Sequence, residues 1–333
     1  MKTTGFVKTS MPEEFRVALL PKDIKDNISH PDLLFFEKGY AKELGVSDGE
    51  YLAVGVNIVS RNEAYSKDIL CIPKTWVDDI DSFKPDQILM GWLYLSEKKK
   101  IAQAVLDNKM TAISWENMYD SDKNYVFEKN RWYAGYISTV QALPFASASP
   151  KNLKIAVLGN GRVAKGVFSR LDEEGASYEI FGTNLLSNPN VWDSKSANLI
   201  LTKLKSEIHK FDVVINCWYY DPSKGNYLSL DDLQEMKAGA LFIDVASEGV
   251  EGSIPHPSIS PFYKLGRFNP ILVYNNNHSP GYWPLDVSQS ISESFAPILN
   301  AIVKDEPNPF LEKATVVKEG VIIDTRIKSL LNL

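Results

Sequence analysis

The stretch KIAVLGNGRVAKG, residues 154–166, constrains the fold of this chain more than any other. KIAVL is a continuous apolar run, the pattern of a strand covered on both faces. It breaks at once into a glycine turn, in which Gly159, Gly161 and Ala164 take the three small-residue positions of a dinucleotide site. The first position permits the tight bend and the second lets backbone approach a pyrophosphate. The third lets helix and strand pack closely. The helix that follows presents free N–H groups and a positive dipole end to the phosphates. A GxGxxG-type turn alone is a weak signal. Here a strand precedes it, a helix runs to about Glu174 with Gly175 ending it, and the strand YEIF completes the unit.

The end of that second strand selects the dinucleotide. In an NAD site an acid at this point hydrogen-bonds the ribose 2′-OH, about 20 residues after the turn. Here the strand ends IFGTN, so the position falls on Gly182 or Thr183, while Glu179 comes too early. Gly182, Thr183 and Asn184 leave room for a 2′-phosphate that an acid would repel, and Arg162 reaches the same region. The expected cofactor is therefore NADP(H), held by Gly159, Gly161, Arg162, Val163, Ala164, Gly182, Thr183 and Asn184. Lys165 has no assigned role.

The remaining pattern is α/β. FDVVINCWY and GALFIDVA read as later strands of the same sheet, and Ser288–Asp305 as a helix. Upstream, TGFVKT, YLAVGVNIV, DILCIPK and QILMGWLYL read as strands, RVALLPKDI as a turn into a helix, and SEKKKIAQAVLDNK as a helix. Strands alternating with helices imply a parallel sheet. EGVIIDTRI reads as a short closing element.

Length and charge exclude several function classes. A chain of 333 residues suits about two domains. A net charge of −6 argues against nucleic-acid binding. The one dense basic run, Lys98-Lys99-Lys100, reads as a solvated helix face. Cys71 and Cys217 lie in apolar runs with no CxxC partner, which suits buried thiols in a reducing cytoplasm. MKTTGFVKTS lacks the apolar region of a signal peptide, and no run is long enough to span a bilayer. With four histidines and two separated cysteines, no metal site is expected. His30 and His209 read as turn or helix-end residues, and His256 as structural.

Two residues outside the turn suggest chemistry. Arg16, in EEFRVALLP, has a planar guanidinium suited to bidentate capture of a carboxylate. Lys74 ends the apolar run of DILCIPK, which places it at the edge of the sheet where α/β ligands bind. Partial burial there would lower its pKa toward the range of a proton-transfer group.

These residues belong to a set spread along the whole chain: EEFRVALLP (13–21), FEKGYAKELGVSD (36–48), the lysine of CIPK, TAISWENM (111–118), VLGNGRVAKG (157–166), MKAGALFIDVASEG (236–249), VEGSIPHPS (250–258) and NNNHSP (275–280). In this set and its order the sequence resembles the family of alanine dehydrogenase and lysine-forming saccharopine dehydrogenase, most of all its carboxyethylornithine synthase branch.

The resemblance implies an enzyme with an outer domain built from both chain ends. The expected fold is α/β, two Rossmann-like domains with parallel sheets and an active-site cleft between them. Residues 1–133 plus 285–333 form the substrate domain, and 134–284 the NADP-binding domain. The implied reaction is hydride reduction of the imine formed between a pyruvate-like 2-oxo acid and an ornithine- or lysine-like amine. Arg16 would hold the oxo-acid carboxylate, and Lys74 would contact substrate and assist proton transfer. His278 would sit near the nicotinamide, and Glu248 would attract the cationic amine.

Two departures from the family pattern stand out. No histidine follows ILMGWLYL, where Tyr94, Leu95 and Ser96 stand instead, and Glu248 replaces the usual aspartate. Tyr94 is the expected substitute hydrogen-bond donor. Asp244 reads equally as a site-ordering group or a strand-end cap. Reduction of a preformed cyclic imine, amino-acid dehydrogenation and a non-catalytic NADP(H) sensor stay open as alternatives. The partners expected are small molecules, with neither nucleic acid nor membrane, and homo-oligomerisation is left open.

Overall fold

The computed structural model describes residues 1–185, 193–218, 225–247, 249–255, 261–266, 270–304 and 306–331. The chain divides into two compact units. One comprises Met1–Lys129 with Trp283–Leu333, the other Asn130–Tyr282. The first unit carries strands β1 (Thr4–Phe6), β2 (Leu34–Glu37), β3 (Asn57–Val59), β4 (Ile69–Cys71), β5 (Ile88–Gly91) and β6 (Thr111–Ser114). The second carries β7 (Ile155–Leu158), β8 (Tyr178–Phe181), β9 (Val213–Asn216), β10 (Leu241–Asp244), β11 (Phe262–Leu265) and β12 (Ile271–Asn275). β13 (Thr315–Lys318) and β14 (Val321–Ile322) belong to the first unit again.

In the first unit the sheet order is β14-β13-β6-β5-β4-β1-β2-β3. Strands β1 to β6 are mutually parallel, and β13 and β14 form an antiparallel edge. The order 3-2-1-4-5-6 of the parallel strands reverses between β1 and β4, which opens a crevice at their C-terminal ends. β1 and β4 are buried along their full length. At Gly5 in β1 a Cβ would lie 1.9 Å from the Ala64 carbonyl oxygen, so glycine lets the helix Arg61–Tyr65 press onto the sheet.

The second sheet runs β11-β12-β10-β9-β7-β8, parallel throughout except for β11 at its edge. Its order reverses beside β7, at the glycine turn. Helix Arg162–Glu173 follows that turn and crosses helix Glu128–Ala142 at very short range. A Cβ on Gly166 would lie 2.0 Å from the Trp132 carbonyl oxygen, and one on Gly135 1.9 Å from that of Val163. The last glycine of GNGRVAKG thus serves helix packing. Both sheets are dominated by parallel strands, each closed by an antiparallel edge that the alternation of apolar runs does not reveal.

Several elements differ from the sequence expectation. YLAVGVNIV is not one strand. Ser47 and Glu50 form a capping box that starts a helix at Asp48–Leu52, and only Asn57–Val59 is extended. β2, β6 and the helix Glu128–Ala142 were not expected. That helix mixes aromatic, β-branched and small residues, so no single apolar stripe marks it. Among the described residues, no helix is long and apolar enough to cross a membrane.

Candidate active site

Four loops at the C-terminal edge of the first sheet carry Arg16, Lys74, Tyr94 and Glu116: those after β1, β4, β5 and β6. After β1 the chain runs Val7–Val17 and buries both Glu14 and Arg16. Glu14 takes one edge of the Arg16 guanidinium: Nε donates to Oε1 at 2.7 Å, and Nη2 donates to Oε2. The Arg16 backbone N–H donates to the same carboxylate at 3.1 Å. The other face of Arg16 rests on Trp92, with Cζ 5.2 Å from the ring centroid. Trp92 follows β5 and donates its indole N–H to the Tyr125 hydroxyl at 3.1 Å.

Lys74, just beyond β4, is buried, and the Thr9 hydroxyl donates to its carbonyl oxygen. This ties the loop after β1 to the loop after β4 across the crevice. Burial lowers the Lys74 pKa to about 7, helped by the positive charges of Arg16 and Lys98 and opposed by Glu14 and Glu97. An ammonium that releases its proton near neutrality suits acid–base work.

Tyr94 sits in a left-handed conformation, φ 47°, directly after Trp92-Leu93. The Glu116 carboxylate holds this bend, accepting the Leu93 and Tyr94 backbone N–H groups at 3.1 and 2.6 Å. Burial raises Glu116 to about 7, with its backbone hydrogen bonds and Lys98 opposing. Burial and the Glu116 charge push the Tyr94 phenol well above its ordinary value of 10. Tyr94 therefore keeps its proton at neutral pH, as a hydrogen-bond donor and not an acid.

Lys98 corrects the reading of the lysine run as solvated. Lys99 and Lys100 are exposed, but Lys98 is half-buried and donates to the Thr75 carbonyl oxygen at 2.9 Å. Its ammonium faces the Tyr94 and Trp76 rings. Glu14, Glu116 and Lys98 were all missed as site residues. The i, i+2 spacing of Glu14 and Arg16 was the one available signal.

In the second unit the glycine turn has the shape of a phosphate cradle. Gly159 takes φ 114°, and a Cβ there would lie 2.9 Å from the Cys217 carbonyl oxygen. A Cβ on Gly161 would meet nothing within 4 Å. Gly161 is the N-cap of helix Arg162–Glu173, and no side chain caps that terminus. A helix start of this kind, directly after a glycine turn, suits an anionic ligand. Ala164 is buried against β7, Val163 is half-buried, and Arg162 and Lys165 are exposed.

Gly182 packs onto the same turn. Its Cβ would lie 2.9 Å from that of Asn160, so this position excludes any side chain, acidic or not. The Gly159 N–H donates to the Phe181 carbonyl oxygen at 2.8 Å, which locks the end of β8 to the turn. Thr183 is half-buried and Asn184 exposed beside it. The dinucleotide residues therefore converge on one place, and they fit a nicotinamide dinucleotide.

Asp244, at the end of β10, is fully buried. It accepts hydrogen bonds from Asn216 at 2.8 Å, the Ser247 N–H at 3.1 Å and Ser253. Burial raises its pKa to about 6, against these hydrogen bonds. His278 follows β12, buried, with its ring stacked on Tyr282 at 5.9 Å between centroids. Arg16, Lys74 and Tyr94 thus share one sheet edge of the first unit, whereas His278 lies in the second. Glu248 and His256 lie outside the described residues. Cys71 and Cys217 are free thiols, and among the described residues no group of His, Cys, Asp and Glu is arranged to hold a metal.

Residues 5–129 match the family described as alanine dehydrogenase/PNT, N-terminal domain. The chain is 28% identical to an N(5)-(carboxyethyl)ornithine synthase of Clostridium botulinum, over 96% of this chain and 99% of that one. It is 29% identical to an enzyme of the same name from Lactococcus lactis, over 87% and 94%. The fold superposes on an L-alanine dehydrogenase with a TM-score of 0.80 at 17% identity, covering 99% of each chain. The chain is accordingly an enzyme, similar over nearly its whole length to oxidoreductases named carboxyethylornithine synthase and alanine dehydrogenase, with residues 5–129 matching the alanine dehydrogenase/PNT N-terminal domain family.

Proposed function

We propose that the chain is an NADPH-dependent oxidoreductase acting on C–N bonds. It joins a 2-oxo acid of the pyruvate type to the side-chain amine of an ornithine- or lysine-like amino acid. Amine and oxo acid condense to an imine with loss of water. One hydride and one proton then convert the imine to the secondary amine of an N-carboxyalkyl amino acid. The observation that carries this reading is Lys74, buried at the switch point of the first sheet with a pKa near 7 and with Arg16 close enough to depress it.

Arg16 holds the oxo-acid carboxylate, and its ion pair with Glu14 fixes the plane of the guanidinium. Lys74 transfers the proton that condensation requires, because both its charge states are populated near neutral pH. Tyr94 donates a hydrogen bond in place of the family histidine, and His278 lines the nicotinamide pocket. Glu248 attracts the cationic amine. The bound nicotinamide supplies the hydride. Gly159, Gly161, Val163 and Ala164 shape its phosphate cradle, and Arg162, Gly182, Thr183 and Asn184 favour the 2′-phosphate. The names of the relatives support the C–N chemistry, and the shape of the glycine turn supports a nicotinamide dinucleotide.

NADPH oxidation should be followed while pyruvate, glyoxylate and 2-oxoglutarate are crossed with ornithine, lysine, alanine and ammonia. Turnover that requires ornithine or lysine supports the proposal. Turnover with ammonia alone would replace it with amino-acid dehydrogenation. The high Tyr94 pKa leaves a second reading, reduction of a preformed imine, which needs no dehydration step. Inactivity with every pair but activity on a cyclic imine would select it.

A further inference from the structure

The first unit contains a cavity of about 410 Å³ whose wall includes Arg16. It opens between the loops after β1, β2 and β3, on the far side of β1 from Lys74. Its floor is rigid. Arg61 donates to Glu37 at 2.9 Å, to the Lys8 carbonyl oxygen at 3.1 Å and to the Ser10 hydroxyl at 3.0 Å. Glu37 also accepts the Lys8 backbone N–H at 3.0 Å. Arg61 and Glu37 are therefore spent on holding three loops together.

Two lining charges remain available. The side chains of Lys8 and Glu43 make no ion pair or hydrogen bond among the described residues, and they carry opposite signs. The Lys8 ammonium reaches over the turn after β2, 4.0 Å from where Gly39 would carry a Cβ. Glu43 stands in the short helical turn Lys42–Leu44 on the same side. The same wall includes Phe15, a ring 45% exposed despite its size, and Met11. One cation, one anion and an apolar strip match the zwitterionic end and methylene chain of an α-amino acid. Condensation needs the amine and the oxo acid side by side, and Arg16 borders both places.

We propose that this cavity is the amine subsite. It holds the α-carboxylate of a diamino acid on Lys8 and its α-ammonium on Glu43, so that the side-chain amine points toward Arg16 and Lys74. The inference rests on the imine-forming reading above and names the feature that makes the enzyme choose an amino acid over ammonia.

Steady-state kinetics with ornithine, and with 1,4-diaminobutane as the analogue lacking the carboxylate, test it. Lys8→Ala and Glu43→Gln should each raise the KM for ornithine about 10- to 100-fold, the range of a charged hydrogen bond, while the KM for pyruvate moves less than about twofold. Lys8→Ala should leave the KM for 1,4-diaminobutane near its parent value. Equal parent KM for the two amines, or an unchanged ornithine KM in both variants, overturns the subsite. If no amine supports NADPH oxidation, the reaction reading fails separately. Calorimetric titration of ornithine into the full chain then decides the subsite. Weaker binding in both variants upholds it, and binding equal to the parent, or absent from it, overturns it.

Discussion

Glu14 and Arg16 form a buried ion pair in which two guanidinium nitrogens meet the two oxygens of one carboxylate, two residues apart in the chain. Neither side chain is accessible enough for water to replace the other. Glu14→Gln leaves a buried cation without its counter-charge, a loss of about 3–5 kcal/mol. A lowered Tm in thermal unfolding should accompany a raised KM for the oxo acid. Full stability in Glu14→Gln would show that the guanidinium is held by other groups.

Lys74 should impose an alkaline limb on the rate. With a pKa near 7 it loses the proton it donates as pH rises through that value. Lys74→Met should cut kcat by about 10²–10⁴. The limb should survive in Glu116→Gln, since Glu116 braces the Leu93–Tyr94 backbone and faces Lys98. A pH–rate profile that is flat between pH 6 and 9 would remove Lys74 from proton transfer.

The same residue predicts a stability effect of definite sign. Its pKa falls from 10.5 in the free side chain to about 7 in the fold. Between those values the unfolded chain binds the extra proton, so the Lys74 penalty is full below pH 7 and fades as pH rises toward 10.5. Lys74→Met should therefore raise Tm most at pH 6 and least at pH 10. At 1.36 kcal/mol per pH unit the gain is at most roughly 5 kcal/mol. A gain that grows with pH would contradict the burial of the charge.

Cofactor choice should depend on Arg162 and on the end of β8. Arg162→Ala should raise the KM for NADPH about tenfold and that for NADH little, by loss of a charged hydrogen bond. Thr183→Asp should shift preference toward NADH through repulsion of a 2′-phosphate. Gly182 is the wrong place for the acid, because even a Cβ would strike Asn160. Gly182→Ala should weaken both cofactors together, and an unaltered KM for both would remove Gly182 from the site.

The crossing of the two helices beside the turn is equally testable. Gly135→Ala places a methyl group 1.9 Å from the Val163 carbonyl oxygen, with backbone on both sides and nothing flexible to yield. The loss should reach about 3 kcal/mol, the upper end of overpacking. Nicotinamide binding should weaken with it, as Val163 lies in the first turn of the helix that follows the glycine turn. A parent-like urea midpoint would mean that the helices separate freely.

Much of the second unit was legible in the sequence. KIAVL, the glycine turn, the helix ended by Gly175 and the strand YEIF all emerge where local pattern places them, because each is specified by residues that are neighbours in the chain. Lys74 at a sheet edge followed from the same local logic. YLAVGVNIV misled for the converse reason: its apolar content suits a strand, but a capping box just upstream commits the chain to a helix.

What only the tertiary structure decided is how the loops around Arg16 and Lys74 are assembled. The order β3-β2-β1-β4-β5-β6 gathers loops about a hundred residues apart along one sheet edge. That convergence buries Lys74 between charges from other loops, turns Lys98 from a surface lysine into a partner of Tyr94, and gives the Glu116 carboxylate a backbone bend to hold. Local pattern reports which face of an element is apolar. Burial and the charges of distant neighbours set the chemistry of Lys74 and Glu116, and they exist only once the strands have taken their places.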